Sequence, residues 1–391
     1  MQKTKEVFFT FLKLGLTSFG GPIAHLGYFR KELVERRNWV TEEQYAQLLA
    51  ICQFLPGPAS SQLGFALGLI RASWSGAFAA FIAFTMPSVL LLIIFASVLP
   101  LVSTEISISI IQGLKLVAFA VVADAVLSMS RKLCPDDQRR MFALIAAIIL
   151  LLSTSIWLQI AVVVVAALAG IIFLQEAAQK QYLHLELPIS QISAILIFVV
   201  FLIMLLLLPL LAPQNIMFAI ADAFYRTGAL VFGGGHVVLP LLDESVVQSG
   251  WLSEQEFLAG YGAAQAIPGP LFSFSAYLGF IIPTEFNSWY VAFIAIIFMF
   301  LPGFLLISAT IQFWHQLSSH PIANNAIAGI NAAVVGILAA ALYDPIITSS
   351  IKSITDLIIG VSGLAMLVIW RLSPLLIVAW CVLMTMLIEF T

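Results

Sequence analysis

Charge is what this sequence has least of. Asp, Glu, Lys and Arg make up 9% of its 391 residues, while 61% are hydrophobic. A soluble domain carries about 25% charged residues, so this chain could not cover a water-facing surface and is read as a polytopic membrane protein. Cysteine is nearly absent: Cys52, Cys134 and Cys381 are scattered without metal-type or redox-type spacing, which excludes a disulfide framework and a zinc site. The sequence has no His-Glu-x-x-His, no Gly-x-Ser-x-Gly and no Walker loop, which leaves metalloprotease, serine hydrolase and nucleotide-driven pump without support. An enzyme, a cofactor, a metal and a nucleic-acid partner are therefore not expected. Alternating apolar and polar residues are also missing, which excludes a transmembrane barrel. Lys3 and Lys5 precede an apolar run without a small-residue cleavage site, so that run is read as a retained first segment.

Uniform apolar runs are plentiful. They lie at 75–99, 106–129, 141–156, 158–174, 190–212, 288–313, 324–343, 354–370 and 373–390, most of them long enough for a hydrocarbon core of ~30 Å. Ser153-Thr154-Ser155 marks a tight hairpin between two of them, and a polar loop follows at 175–189. Glycine and proline are not scarce (24 and 17), as expected of helices that are broken within a membrane.

The breaks fall in a pattern written twice. Phe19-Gly20-Gly21, Trp39 and Gln53-Phe54-Leu55-Pro56-Gly57-Pro58 recur as Phe232-Gly233-Gly234, Trp251 and Gln265-Ala266-Ile267-Pro268-Gly269-Pro270. Thr41 with Gln44, and Ser253 with Glu256, have the spacing of capping boxes that open the helix ahead of each break. From Trp39 to Pro58, six of twenty positions are identical in the second copy. The chain is thus divided into an N-terminal repeat (1–187), a linking transmembrane helix (188–213) and a C-terminal repeat (214–391). The loop after the first Gly-Gly carries Arg30, Lys31, Arg36 and Arg37, whereas its partner carries Asp243, Glu244, Glu254 and Glu256 and no Lys or Arg. Lys and Arg favour the cytoplasmic side, so the two repeats are expected to be inverted. The basic loop from Arg131-Lys132 to Arg139-Arg140 falls on the same side as the first only if the Pro-Gly-Pro segment is a re-entrant hairpin. The fold class is therefore an all-α polytopic membrane protein of two homologous, inverted repeats, with broken or re-entrant helices and roughly 10–13 membrane segments.

A helix that starts inside the membrane presents unpaired N–H groups and the positive end of its dipole, a natural seat for an anion. Past the first break lie Ser60, Ser61 and Gln62, and past the second Ser273, whose polar groups suit an oxyanion. Lys13 and Arg226 stand at matched positions ahead of the glycines; the two cations and two helix starts together suit a divalent anion, while snorkelling to an interface is the competing role. The glycine runs Gly20-Gly21 and Gly233-Gly234-Gly235 serve either close packing or backbone contact with a ligand. His236 follows the second run and His25 the first, each without a second metal-type ligand. Gln53 and Gln265, three residues ahead of the breaks, are expected to bond the freed backbone groups from behind. Asp124 and Asp222 are candidates for proton coupling, although Asp222 is also placed to pair with Arg226 at i,i+4.

Together, Phe19-Gly20-Gly21, Arg36-Arg37-x-Trp39 and Gln53-x-Leu-Pro-Gly-Pro-x-x-x-Gln62-Leu63 resemble the N-terminal signature of the chromate ion transporter family. Phe232-Gly233-Gly234-Gly235-His236 and Gln265-x-Ile-Pro-Gly-Pro resemble its C-terminal signature, so the chain is similar to the long, fused form. The resemblance implies a transporter of chromate in the cytoplasmic membrane of a prokaryote, exporting it and so giving resistance. It also implies oppositely oriented halves, and it places conserved motif positions at Gly20, Gly21, Pro56, Gly57, Pro58 and Gln62. Phe274 stands where the first half has Gln62, so the two half-sites differ chemically. The expected partners are an inorganic oxyanion, chromate or its isostere sulfate, and the lipid bilayer; a homo-oligomer is compatible with the sequence. A secondary transporter is the leading expectation, with a passive anion channel as the rival.

Overall fold

The computed structural model describes residues 2–19, 21–152, 156–174, 189–232, 235–314 and 320–389. The Ser153-Thr154-Ser155 hairpin and most of the 175–189 loop lie outside them. The described chain is all-α, with no strand. Its first part comprises α1 (Gln2–Thr17), α2 (Gly21–Phe29), a π-helical turn at Arg30–Arg36, α3 (Glu42–Phe54), α4 (Ala59–Val98), α5 (Thr104–Leu133), α6 (Asp137–Leu152) and α7 (Ile156–Phe173). A linking helix, α8 (Gln191–Leu211), follows. The second part comprises α9 (Ile216–Leu230), α10 (Val238–Leu242), a π-helical turn at Asp243–Val247, α11 (Glu254–Ala266), α12 (Phe274–Ile281), α13 (Ser288–Thr310), α14 (Pro321–Ala341), α15 (Ile354–Val368) and α16 (Pro374–Glu389).

Among the described residues, five segments are long and apolar enough to cross a bilayer: Ala59–Leu101, Thr104–Leu133, Gln191–Gln214, Ser288–Thr310 and Pro321–Ser350. Among them α8 is the least covered by protein and exposes Ile192, Leu206 and Leu210, as a lipid-facing helix should. The helices around each break are shorter. α3 has 13 residues, which span only ~20 Å at 1.5 Å per residue. α4 is interrupted at Ala72 and Ser73, where Ser73 has φ +55°, so its first stretch, 59–71, is equally short. Two half-length helices meeting at a Pro-Gly-Pro corner have the proportions of a re-entrant pair, and in the second part α11 with 13 residues and α12 with 8 are likewise too short to span.

Both expected capping boxes form. Thr41 Oγ1 accepts from Gln44 N while Gln44 Oε1 accepts from Thr41 N, and Ser253 and Glu256 do the same. Thr41→Ala and Ser253→Ala should each cost about 1 kcal/mol, measurable as a lower thermal midpoint in detergent with transport retained.

The two parts interlock. α5 packs against α15 and α16 of the second part, and α14 packs against α6 and α7 of the first. Small residues allow the close approach: a Cβ on Gly113 of α5 would lie 2.7 Å from Val382 Cα on α16, and one on Gly329 of α14 would lie 3.0 Å from Gly170 Cα on α7. Thr385 Oγ1 donates to the Ser109 carbonyl across the first of these contacts at 3.0 Å. Each closing hairpin thus completes the core of the other part.

Candidate functional site

Each break is seated on the opposite part of the chain. Gly57 N–H donates to the Val231 carbonyl at 2.7 Å, and Gly269 N–H donates to the Ser18 carbonyl at 3.1 Å. Ser18 and Val231 differ by 213, the offset of the two Gly-Gly motifs, while Gly57 and Gly269 differ by 212, the offset of the two breaks. These are therefore one contact made in both directions. The long helices repeat it: a Cβ on Gly57 would lie 3.1 Å from Gly303 Cα, and one on Gly269 would lie 3.0 Å from Ser88 Oγ. Ser88 follows Pro87 in α4, and Gly303 follows Pro302 in α13. Glycine is required at both corners by conformation as well as space, since φ is +120° at Gly57 and +105° at Gly269.

Past the first corner, α4 begins at Ala59 without a side-chain cap, so the first-turn N–H groups of Ala59, Ser60 and Ser61 lack a capping oxygen. The Pro58 and Pro270 rings complete corners that are buried. Gln62, fully buried, bridges the crossing: its Nε2 donates to the Pro56 carbonyl at 2.9 Å and to the Gly303 carbonyl at 3.1 Å. Gln62→Leu would leave the Pro56 carbonyl without this donor, at a cost of about 1–3 kcal/mol, and would remove the tie to the Gly303 carbonyl of α13. The expected result is a lower unfolding midpoint and at least about tenfold slower transport, read from purified protein in vesicles. The second corner is closed differently. Pro270 leads into a tight turn at Leu271–Ser273, where Ser273 Oγ donates to the Pro270 carbonyl at 2.6 Å.

His25 is fully buried behind the first corner. One ring nitrogen, Nε2, lies 3.2 Å from the Ser18 carbonyl and the other, Nδ1, 3.5 Å from Ser60 Oγ. With Nε2–H donating to the carbonyl, Nδ1 accepts from the Ser60 hydroxyl. The imidazole thereby links the helix start of one break to the carbonyl that seats the other. His236, half-buried behind Gly235, has Nδ1 2.7 Å from the Tyr261 hydroxyl.

Several polar atoms around the crossing are buried without a partner, namely Ser18 Oγ, Ser61 Oγ, Gln62 Oε1 and Thr85 Oγ1, while the Gln265 amide bonds the Tyr261 hydroxyl. Thr85 adjoins Phe84, whose carbonyl lies 3.4 Å from the Cβ position of Gly269, and Gln265 precedes the second break by three residues. Buried polar atoms are nearly always hydrogen-bonded. The group lies beside two broken helices, and most of its members can donate a hydrogen bond.

The expected residues do not all converge on this crossing. The Lys13 side chain is 58% exposed and lies 3.9 Å from Glu32. Arg226 pairs with Asp222 one turn away, as the i,i+4 spacing suggests. Their backbones do flank the crossing, each five residues ahead of a seating carbonyl. Gln53 is exposed, and the backbone group it was expected to bond is taken by Gln62. Asp124 is half-buried on α5. Gly21 opens α2 with φ +75°, while Gly20, Gly233 and Gly234 lie outside the described residues. Sequence reasoning passed over Ser18, Val231, Thr85, Ser88 and Gly303. The shared offset of Ser18 and Val231, and the prolines ahead of Ser88 and Gly303, were signals that could have found most of them.

Comparison with known proteins adds to this geometry. A family model described as chromate transporter matches residues 5–174 and 218–386. A probable chromate transport protein of Synechococcus elongatus is 28% identical over 382 residues, covering 94% of this chain and 91% of its own. An uncharacterized transporter of Methanocaldococcus jannaschii is 25% identical, covering 86% and 82%. A chromate transport protein of Cupriavidus metallidurans is 25% identical, covering 90% and 84%. No solved structure matches the chain significantly.

Proposed function

Because this chain belongs to the chromate transporter family, we propose that it carries chromate across the cytoplasmic membrane, and that chromate binds where the two Pro-Gly-Pro breaks cross. The observation that carries this reading is the reciprocal seating of Gly57 on Val231 and Gly269 on Ser18 amid unpaired buried polar atoms. A tetrahedral dianion offers acceptor oxygens in several directions, matching the Ser18, Ser61 and Thr85 hydroxyls and the start of α4. The ion pairs of Lys13 and Arg226 leave these dipoles and hydroxyls as the direct ligands, with the two cations contributing from the flanks.

A contact made in both directions is the signature of a two-fold relation between two parts. The opposite Lys/Arg content of the loops after the two Gly-Gly motifs favours an axis in the membrane plane, hence inverted repeats. Two such parts rocking about one central site suit alternating access and a secondary transporter. An interior-negative potential favours exit of an anion by ~2.3 kcal/mol per charge per 100 mV, so the transport is read as export that gives chromate resistance. Sulfate has the same shape and charge and is the natural competitor.

The test is radiolabelled chromate flux in proteoliposomes under imposed potential and pH gradients, with sulfate as competitor. Flux that is accelerated by chromate on the far side is expected. Absence of any chromate or sulfate flux would overturn the reading, and flux without trans-stimulation would make the protein a channel.

A further inference from the structure

A second polar site lies away from the crossing. A cavity of about 40 Å³ is lined by Asp243 and Glu244 of the second π-helical turn, Asp344 beyond α14, Gln159 of α7, and Gln248. That is room for one or two waters. Asp243 is 6% exposed and its Oδ1 has no hydrogen-bond partner; Gln159 is 8% exposed and its Oε1 has none either. The Gln159 amide donates through Nε2 to Glu244 Oε2 at 2.7 Å. Among the described residues, no lysine or arginine lines the cavity.

The two repeats differ here in a telling way. Asp243 is the counterpart of Arg30 at the 213 offset, and Glu254 is the counterpart of Glu42 at the 212 offset. In the first repeat Arg30 Nε donates to Glu42 Oε1 at 2.7 Å in an exposed ion pair. In the second, the same two positions hold two carboxyl groups, and one of them is buried. Like charges brought together out of water favour a proton on one of them.

We propose that Asp243 is a proton-binding site, held by the Asp344, Glu254 and Glu244 carboxylates around it, and that its protonation is coupled to substrate transport. The coupling half of this rests on the transport reading above; the proton site does not. The surrounding charges agree. Asp344 comes from the segment after α14, and Glu254 from the start of α11, where Lys115 of α5 also acts on it. Asp222 and Arg226 of α9 are paired with each other, and α7 contributes only the neutral Gln159. Asp243 lies between α10 and α11, outside the membrane-spanning helices. Burial, with repulsion from Glu254 and Asp344, outweighs a bond from Gln248 and raises its carboxyl to about 7.

The sign for stability follows. An acid raised in the folded state binds more protons folded than unfolded, so its contribution is present at low pH and is lost as pH rises toward about 7. The experiment uses the purified full chain in detergent, with infrared difference spectra and thermal unfolding recorded from about pH 5 to about pH 8. The wild-type should show a carboxyl band that titrates near neutrality and an unfolding midpoint that falls over this range. Asp243→Asn should lose the band and flatten the slope, and Asp344→Asn, at an exposed position, should move the band's midpoint to lower pH. The same band and slope in Asp243→Asn would overturn the site. Should that variant not fold, an unmoved midpoint in Asp344→Asn would do so. In proteoliposomes, chromate flux by wild-type should change with an imposed pH gradient and that of Asp243→Asn should not; a retained pH dependence would overturn the coupling. Wild-type protein that carries no chromate would overturn the transport reading, with the spectra still deciding the proton site.

Discussion

Replacing Gly57 with alanine should slow chromate flux by at least about tenfold, and Gly269→Ala should do the same. Both glycines hold φ values well inside the region that L side chains avoid, a strain of about 1–3 kcal/mol for any other residue. The space adds to it. At Gly57 a methyl group would lie 2.9 Å from Gln62 Nε2 and 3.1 Å from Gly303 Cα, so it must push apart the corner and the long helix α13 of the second part. The N–H that donates to the Val231 carbonyl would move with it. Gly250 is the control: its φ is +78°, but a Cβ there meets nothing within 4 Å. Gly250→Ala should lower the unfolding midpoint slightly and leave flux at the wild-type level. Because the two corners belong to one crossing, the double variant should lose less than the sum of the singles. Normal flux in both single variants, with protein amount measured, would remove the crossing from the transport path.

Arg226→Ala should be the most destabilising of the single changes, and the reason separates structure from binding. Asp222 is 6% exposed at the side chain and Arg226 is its ion-pair partner. Removing one member of a buried pair leaves an uncompensated charge and costs about 3–5 kcal/mol. Asp222→Asn together with Arg226→Gln should recover most of that stability, because neither side chain then carries a charge. If the Arg226 cation also contributes to the anion's field, the double variant should fold normally yet carry chromate at least about tenfold more slowly. Full recovery of flux along with stability would reduce Arg226 to a structural counter-ion. Lys13 provides the contrast. Its side chain is mostly exposed, so Lys13→Ala should fold as wild-type does, and its flux measures the long-range charge effect alone.

Much of the fold was legible because its causes are local. A scarcity of charge and long apolar runs demand a membrane. Thr41 with Gln44 and Ser253 with Glu256 build their capping boxes from neighbours, so both formed where the spacing placed them. Proline and glycine break helices through their own backbone chemistry, so the corners at 56–58 and 268–270 could be read directly. The transporter family agrees with the missing enzyme motifs. Side-chain direction was not legible in the same way. Gln53 and Gln62 both stand near the first corner, yet only Gln62 faces the crossing, while Gln53 faces out. Lys13 and Arg226 hold matched positions, yet the Lys13 side chain stays mostly exposed beside Glu32 while Arg226 is largely covered and pairs with a buried aspartate.

The sequence by itself determined an all-α membrane chain, a motif written twice, two broken helices and a family. Those follow from composition, spacing and backbone preference, which act within a few residues of one another. Only the tertiary structure decided that each break rests on the end of the first helix of the other part, that the closing hairpins are exchanged, and that an ion pair in the first part is matched by a pair of acids at the same place in the second. Such contacts join residues some two hundred positions apart. Packing selects them from many partners that local chemistry leaves equivalent.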